Sequence, residues 1–194
     1  MRKSDLSDNE LVTEFISGNE SSLEILLNRH QRKIFTSILL LVRDRELAED
    51  LFQETFIKVI NTLRSGNYHE EGKFLPWVSR IAHNLVIDYF RRQKKMPMVR
   101  DTDEFSIIGN IRLTDENIED KIVTDQIHHD VRRLIDLLPD EQREVVIMRH
   151  FADMSFKEIA EQTNVSINTS LGRMRYALIN LRKLIKEREL VLVK

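Results

Sequence analysis

A group of four hydrogen-bonding side chains near the C-terminus falls within about two turns of a predicted helix. The group follows Ser166, a residue type that commonly caps the start of a helix. It consists of Asn168, Thr169, Arg173 and Arg175. Amide, hydroxyl and guanidinium groups at the start of a helix are the groups that read base edges and bind phosphates in a DNA major groove. The pattern predicts a DNA-reading helix that begins at Ile167.

A second, shorter helix is predicted just before it. Ser155 and Glu158 have the spacing of a capping box, so this helix begins at Phe156. The polar run 162–164 then favours a turn before the chain re-enters the core. Two helices joined in this way indicate a helix-turn-helix. The alternative is an ordinary helical hairpin in an all-α core.

A polar ridge is predicted on a helix in the first half of the chain. Its residues lie three or four positions apart, and they are Asp50, Gln53, Glu54 and Lys58. The intervening apolar positions face inward, and they are Leu47, Leu51, Thr55 and Val59. Taken alone, the ridge is better explained as a solvated face with an incidental Glu54–Lys58 pair.

The elements that position these residues are all helical. The chain has 194 residues with only 5 glycines and 3 prolines, and its apolar residues recur at helical rather than strand spacing. Helices are predicted over 8–17, 20–42, 45–64, 74–95, 118–138, 140–151 and 167–188, together with a short helix that begins at 156 and ends before the turn at 162–164. No regular pattern continues from residue 96 to 117. The sequence therefore predicts an all-α protein with one domain at 1–95, a linker at 96–117 and a second domain at 118–194.

Composition argues against several other classes of protein. The chain has no cysteine, and neither a signal peptide nor a membrane-spanning run is predicted, so a cytoplasmic location is expected. The six histidines lack the i, i+4 spacing of a metal site, and no nucleophile or phosphate-binding motif is present, so no cofactor, no metal and no small-molecule substrate are expected. Residues 96–130 hold 3 basic and 9 acidic residues, an acidic segment that suits a solvated, flexible spacer.

Three motifs, taken in order, resemble the sigma-70 family, and specifically its small extracytoplasmic-function (group IV) sigma factors. The first is DLFQETF, from Asp50 to Phe56. The second is FLPWVSRIAHNLVIDYFRR, from Phe74 to Arg92. The third combines LPDEQREV, from Leu138 to Val145, with SFKEIA, from Ser155 to Ala160.

The resemblance implies an initiation subunit of bacterial RNA polymerase that binds promoter DNA and no cofactor. By similarity, the clamp helices of the largest polymerase subunit would be bound by Asp50, Gln53 and Glu54, with Phe56 supporting the helix, and the second domain would meet the flap. Promoter recognition at the minus-10 element, with melting and a flipped base, would involve Asn67, Tyr68, His69, Arg80, Asn84, Arg91 and Arg92. The minus-35 element would be bound by Arg149, Ser166, Asn168, Thr169, Leu171, Arg173 and Arg175. The family also implies an anti-sigma partner.

The sequence departs from this family pattern at Ser170 and Leu171, where relatives often carry an apolar and a basic residue. Periodicity allows two inward stripes: one contains Leu171 and Leu178, and the other contains Ser170 and Ala177. If Leu171 faces outward, it would meet a thymine methyl group and shift preference toward A·T pairs.

A transcription regulator that needs no polymerase, with an N-terminal sensor or dimerisation domain, is the alternative function. The Asp50–Gln53–Glu54 ridge and the motif from Phe74 to Arg92 favour the sigma factor, because a simple regulator requires neither. The predicted role is to direct core polymerase to promoters that respond to stress or another signal.

Overall fold

The computed structural model describes residues 5–69, 73–95 and 131–187, and every regular element in these ranges is helical. The helices of the first half are α1 (Asp8–Ile16), α2 (Glu20–Val42), α3 (Arg45–Arg64) and α4 (Phe74–Lys95). Those of the second half are α5 (Asp140–His150), α6 (Phe156–Thr163) and α7 (Ile167–Glu187), and residues 131–136 are also helical. The predicted all-α fold is confirmed. The predicted linker at 96–117 and most of the helix at 118–138 lie outside the described residues.

Side-chain caps place most of the helix starts where the sequence predicts them. Ser7 with Glu10, and Ser155 with Glu158, form complete capping boxes at the starts of α1 and α6. The Asp44 carboxylate accepts a hydrogen bond of 3.0 Å from the Leu47 amide at the start of α3. Since these bonds satisfy amides that the helix itself leaves without partners, they fix each boundary locally.

Helices α1–α4 enclose the first hydrophobic core. Its fully buried side chains include Leu11, Leu26, Ile34, Val59 and Val78. Phe74 is also a member of this core: it is 1% exposed, and its ring centroid lies 5.6 Å from that of His30. This packing fixes how α3 and α4 present their outer faces.

Helices α5–α7 and the 131–136 segment enclose a second core. Its buried members include Ile147, Met154, Ile159, Met174 and Ala177. Leu40, near the end of α2, is 3% exposed and belongs to this second core. The two halves are therefore packed against each other, with α2 contributing to both.

Candidate nucleic-acid and partner interfaces

The predicted ridge on α3 lies on the molecular surface. Asp50, Gln53 and Glu54 are all exposed, and the Glu54 carboxylate lies 3.4 Å from the Lys58 ammonium. Both members of this pair are half exposed, so it contributes about 0–1 kcal/mol and leaves the carboxylate available to a partner.

The ridge also contains an apolar side chain that sequence reasoning missed. Ile57 is 58% exposed and follows Gln53 by one helical turn. Phe56 points the other way: it is 6% exposed and packs at 4.8 Å from the Phe52 ring. Phe56 therefore supports α3 from within the core, while Ile57 lies among the polar groups that face outward.

The inner face of α3 explains this orientation. Leu51, Thr55 and Val59 are buried, and the Thr55 hydroxyl donates to the Leu51 carbonyl oxygen at 2.7 Å. A buried threonine is tolerated here because its hydroxyl has a partner within the same helix.

The residues that directly follow α3 are held against α4 by an aromatic contact. Gly66, at φ +71°, ends α3 in the left-handed region. Tyr68 then packs edge-on against Trp77, with ring centroids 4.7 Å apart. Asn67 and His69, on either side, are exposed. The two exposed polar side chains thus flank a fixed aromatic ring.

Arg80 and Asn84 lie one turn apart on α4 and both face α6 of the second half. The Arg80 guanidinium lies 3.8 Å from the Glu158 carboxylate, which is also 3.4 Å from the Lys73 ammonium. The Gln162 side-chain amide donates to the Asn84 carbonyl oxygen. Two residues predicted to bind the minus-10 element therefore have partners within the chain itself.

His83 is the residue at this contact that sequence reasoning did not select. Its side chain is 6% exposed, and its Nε2 lies 2.8 Å from a Glu144 carboxylate oxygen. Its Nδ1 lies 3.1 Å from Nε2 of Gln162. A lone histidine on a helix carries no signal for partners that lie 61 and 79 residues further along the chain.

The Glu158 carboxylate is held in its charged form at this contact. Burial by itself raises the pKa of Glu158, but hydrogen bonds from the Ser155 hydroxyl and amide and from Lys73 outweigh that effect. The resulting pKa is below the usual 4.5. Glu158 therefore presents a full negative charge to Lys73 and Arg80 at neutral pH.

Two further arginines lie in the last turns of α4. Arg91 and Arg92 are both exposed, and Arg91 is 3.5 Å from the Asp88 carboxylate. Exposed guanidinium groups at the end of a helix are suited to bind phosphates without reading sequence.

The structure answers the question that periodicity left open on α7. Ser170 is 0% exposed and Leu171 is 44% exposed, so the inward stripe runs through Ser170, Met174 and Ala177. The Ser170 hydroxyl is buried and has no hydrogen-bond partner among the described residues. Leu171 lies on the outward face beside exposed Ile167.

The other residues at the start of α7 that were predicted to bind the minus-35 element differ in their exposure and contacts. Asn168, Thr169 and Arg175 are exposed. The Ser166 hydroxyl, by contrast, accepts from the Thr169 amide at 3.0 Å and so caps the helix.

Two arginines, one on α7 and one near the end of α5, have partners within the second half. Arg173 is 3.1 Å from the Glu141 carboxylate. Arg149 donates to the Met154 carbonyl oxygen at 2.8 Å and lies over the Phe156 ring. These contacts orient both guanidinium groups around the helix-turn-helix.

The described residues were also searched for a metal site and for a membrane-spanning helix. In the part of the chain that the structure describes, no three histidine, cysteine or acidic side chains are placed to share a metal ion. None of the helices described is long and apolar enough to cross a bilayer.

The sigma-70 region 2 family matches residues 26–96, and the sigma-70 region 4 family matches residues 128–173. Together they cover more than half of the chain. Curated relatives match over most of their lengths. The RNA polymerase sigma-H factor of Pseudomonas aeruginosa is 29% identical over 86% of this chain and 88% of its own. The ECF RNA polymerase sigma factor SigW of Bacillus subtilis is 26% identical over 88% and 92%. The chain belongs to the extracytoplasmic-function group of the sigma-70 family.

Solved structures show the same fold. The chain is similar to CnrH in its complex with the cytosolic domain of CnrY, with a TM-score of 0.61 and 20% identity over 93% of this chain and 97% of that one. It is also similar to the sigma factor RpoE of Bartonella quintana in complex with the anti-sigma factor NepR, with a TM-score of 0.60 and 18% identity over 84% and 96%.

Family membership confirms the predicted function. The chain is a sigma factor, a non-enzymatic subunit that directs RNA polymerase to initiate transcription. The alternative of a regulator that acts without polymerase does not account for the match to region 2.

Proposed function

We propose that this sigma factor grips core RNA polymerase through the α3 ridge. The supporting observation is that Asp50, Gln53 and Glu54 are exposed together on one face of α3. This ridge shares no residue with the surfaces proposed for DNA, so polymerase and promoter would be bound at the same time. The partner surface would be the clamp helices of the largest subunit, which the family resemblance implies, with the second domain meeting the flap.

The proposal is tested by a matched pair of double variants. Gln53→Ala/Glu54→Ala removes one amide and one carboxylate from the ridge. Glu24→Ala/Gln31→Ala removes the same two groups from exposed positions on α2. The ridge variant is expected to bind core polymerase at least tenfold more weakly, about 1.4 kcal/mol, with a matching loss of run-off transcription. Equal binding by both variants would contradict the proposal.

The minus-10 element would be recognised by α4 and by the chain that precedes it. Asn67, Tyr68 and His69 would receive a base flipped from the non-template strand, because a polar site beside a fixed aromatic ring stabilises an unstacked base. Arg80 and Asn84 would contact the upstream edge of the element. Arg91 and Arg92 would bind phosphates.

The minus-35 element would be recognised by α7. Asn168, Thr169 and Arg175 are exposed near its start, where a recognition helix meets base edges. Ser166 would act by capping this helix. Arg173 on α7 and Arg149 on α5 would contact the DNA backbone or bases.

Leu171 would add an apolar contact to this surface. It is exposed on the outward face of α7 beside Ile167. Since the 5-methyl group of thymine is the apolar feature of the major groove, Leu171 would favour A·T pairs.

Regulation by an anti-sigma factor and a cytoplasmic site of action complete the proposal. The support is the likeness in fold to CnrH and RpoE, which were solved with CnrY and with the anti-sigma factor NepR. The linker from 96 to 117 would join the two DNA-binding halves at 1–95 and 118–194. Co-purification of the tagged chain from its own cells, followed by mass spectrometry, tests for such a partner.

A further inference from the structure

We propose that Arg173 of α7 and Glu141 of α5 act as one unit that reads a G·C pair of the minus-35 element, with Glu141 fixing the direction of the Arg173 guanidinium. The inference rests on the proposed binding of α7 to this element. It adds a second residue, from a different helix, and the kind of base pair that the two residues select.

The two residues meet at an open cleft between the start of α5 and α7. The cleft has a volume of about 470 Å³, and Glu141, Gly172 and Arg173 are among the residues that line it. The Arg173 guanidinium lies 3.1 Å from the Glu141 carboxylate, and the two side chains are 20% and 70% exposed. Both charged groups are therefore accessible from solvent, beside the helix proposed to enter the major groove.

The first turn of α5 holds Glu141 at a fixed place relative to α7. Its neighbour Asp140 pairs with Arg143 at 2.8 Å. Its other neighbour, Gln142, accepts a hydrogen bond of 2.8 Å from the Asn180 side-chain amide of α7. In water an ion pair as exposed as that of Glu141 adds little to stability. A guanidinium that is already held in one orientation, however, loses less entropy when it binds DNA.

The pair matches the major-groove edge of a G·C pair in its chemistry. Guanine presents two acceptors there, N7 and O6, and cytosine presents one amino donor. Arg173 has guanidinium donors beyond those that face Glu141, and a Glu141 carboxylate oxygen would accept from the cytosine amine. The negative charge of Glu141 cancels much of the attraction of Arg173 to a phosphate, whereas directed hydrogen bonds to uncharged bases remain. The pair is therefore better suited to a base pair than to the DNA backbone.

Gly172, next to Arg173, leaves room for a base pair to approach. A Cβ atom at this position would meet nothing within 4 Å, so no neighbour among the described residues requires a glycine here. Glycine inside a helix is less favourable than alanine. Its bare backbone instead allows a ligand to come close to α7 at the cleft.

A double-mutant cycle on the full chain, assembled with bacterial core polymerase, tests the unit. The template is a promoter selected from a random pool by wild-type holoenzyme, and 7-deazaguanine, which lacks the N7 acceptor, replaces each minus-35 guanine in turn. Wild-type holoenzyme is expected to bind at least fivefold more weakly at one such position. Arg173→Ala, Glu141→Ala and the double variant are each expected to lose this sensitivity. No sensitive guanine in the wild type, or undiminished sensitivity in Glu141→Ala, would overturn the inference.

Two further variants separate orientation from charge. Glu187→Ala removes the same charge from α7 and breaks a similarly exposed pair, with Lys183 at 3.6 Å, and is expected to keep the full sensitivity to 7-deazaguanine. Glu141→Gln keeps an acceptor oxygen without the charge and is expected to retain most of it. Equal loss in Glu141→Gln and Glu141→Ala would overturn the positioning role of Glu141. Unchanged promoter binding by Asn168→Ala/Arg175→Ala would instead refute the proposed function of α7.

Discussion

The orientation of α7 predicts opposite effects on stability from two adjacent substitutions. Ser170 is buried with a hydroxyl that has no partner among the described residues, and Leu171 is 44% exposed. Ser170→Ala is therefore expected to stabilise the protein, and Leu171→Ala to destabilise it only slightly. The alternative inward stripe predicts the reverse order.

The expected changes in the free energy of unfolding distinguish the two orientations of α7. A buried hydroxyl with no partner costs about 1–3 kcal/mol on mutational scales, and alanine exceeds serine in helix propensity by about 0.5 kcal/mol. The loss of the oxygen atom's packing contacts offsets part of this gain. Ser170→Ala is therefore expected to raise the free energy of unfolding by about 1 kcal/mol. Full burial of a leucine contributes about 1.5–3 kcal/mol, so truncating a half-exposed Leu171 costs about 1 kcal/mol. A core leucine would cost about 2–5 kcal/mol.

Urea unfolding followed by circular dichroism is the assay, with the slope m compared between variants to establish that the same surface unfolds. A supporting thermal scan is expected to show a rise in Tm of about 4–8 °C for Ser170→Ala, the shift that 1 kcal/mol produces in a domain of 60–100 residues. A loss of 2 kcal/mol or more in Leu171→Ala, with no gain in Ser170→Ala, would refute the assigned orientation.

Three further predictions concern the proposed interfaces. Ile57→Ser is expected to weaken core polymerase binding at least tenfold, since it removes the apolar centre of the α3 ridge; Ile16→Ser, 49% exposed on α1, is the control in the same pull-down. Deoxyuridine in place of thymine in a selected minus-35 duplex is expected to weaken wild-type holoenzyme severalfold but not Leu171→Ala, and a gel shift showing equal losses would contradict methyl recognition. The pKa of Glu158 is lowered on folding, so its stabilisation is present above about pH 5 and is lost as pH falls through the lowered value; the difference in free energy of unfolding between wild type and Glu158→Gln is expected to shrink only below that pH, and a constant difference would contradict it.

Local chemistry made the helix boundaries predictable from the sequence. The capping residues Ser7, Asp44 and Ser155 act through bonds within three residues, so spacing alone reveals them. Asn19 is the exception. It begins α2 at the predicted place, but its side chain makes no capping bond and instead donates to Glu14. Its Oδ1, the atom that would accept a capping bond, accepts a hydrogen bond of 2.8 Å from the Ser21 hydroxyl instead.

The outer face of α7 was not predictable, because serine is compatible with either side of a helix. Only the packing of Met174 and Ala177 against α5 and α6 decides which stripe turns inward. The contact between the halves was hidden for a different reason. His83 and Glu144 are 61 residues apart, and neither residue lies in a sequence pattern that predicts its partner.

The position of Leu40 affects the solubility of the purified protein. It is buried only because the two halves meet, since it sits on a helix of one and in the hydrophobic core of the other. Separation of the two halves exposes this apolar surface to water, which is unfavourable. Protein with its halves separated is expected to self-associate as its concentration rises. A polar residue in place of Leu40 would improve its solubility and weaken the contact between the halves.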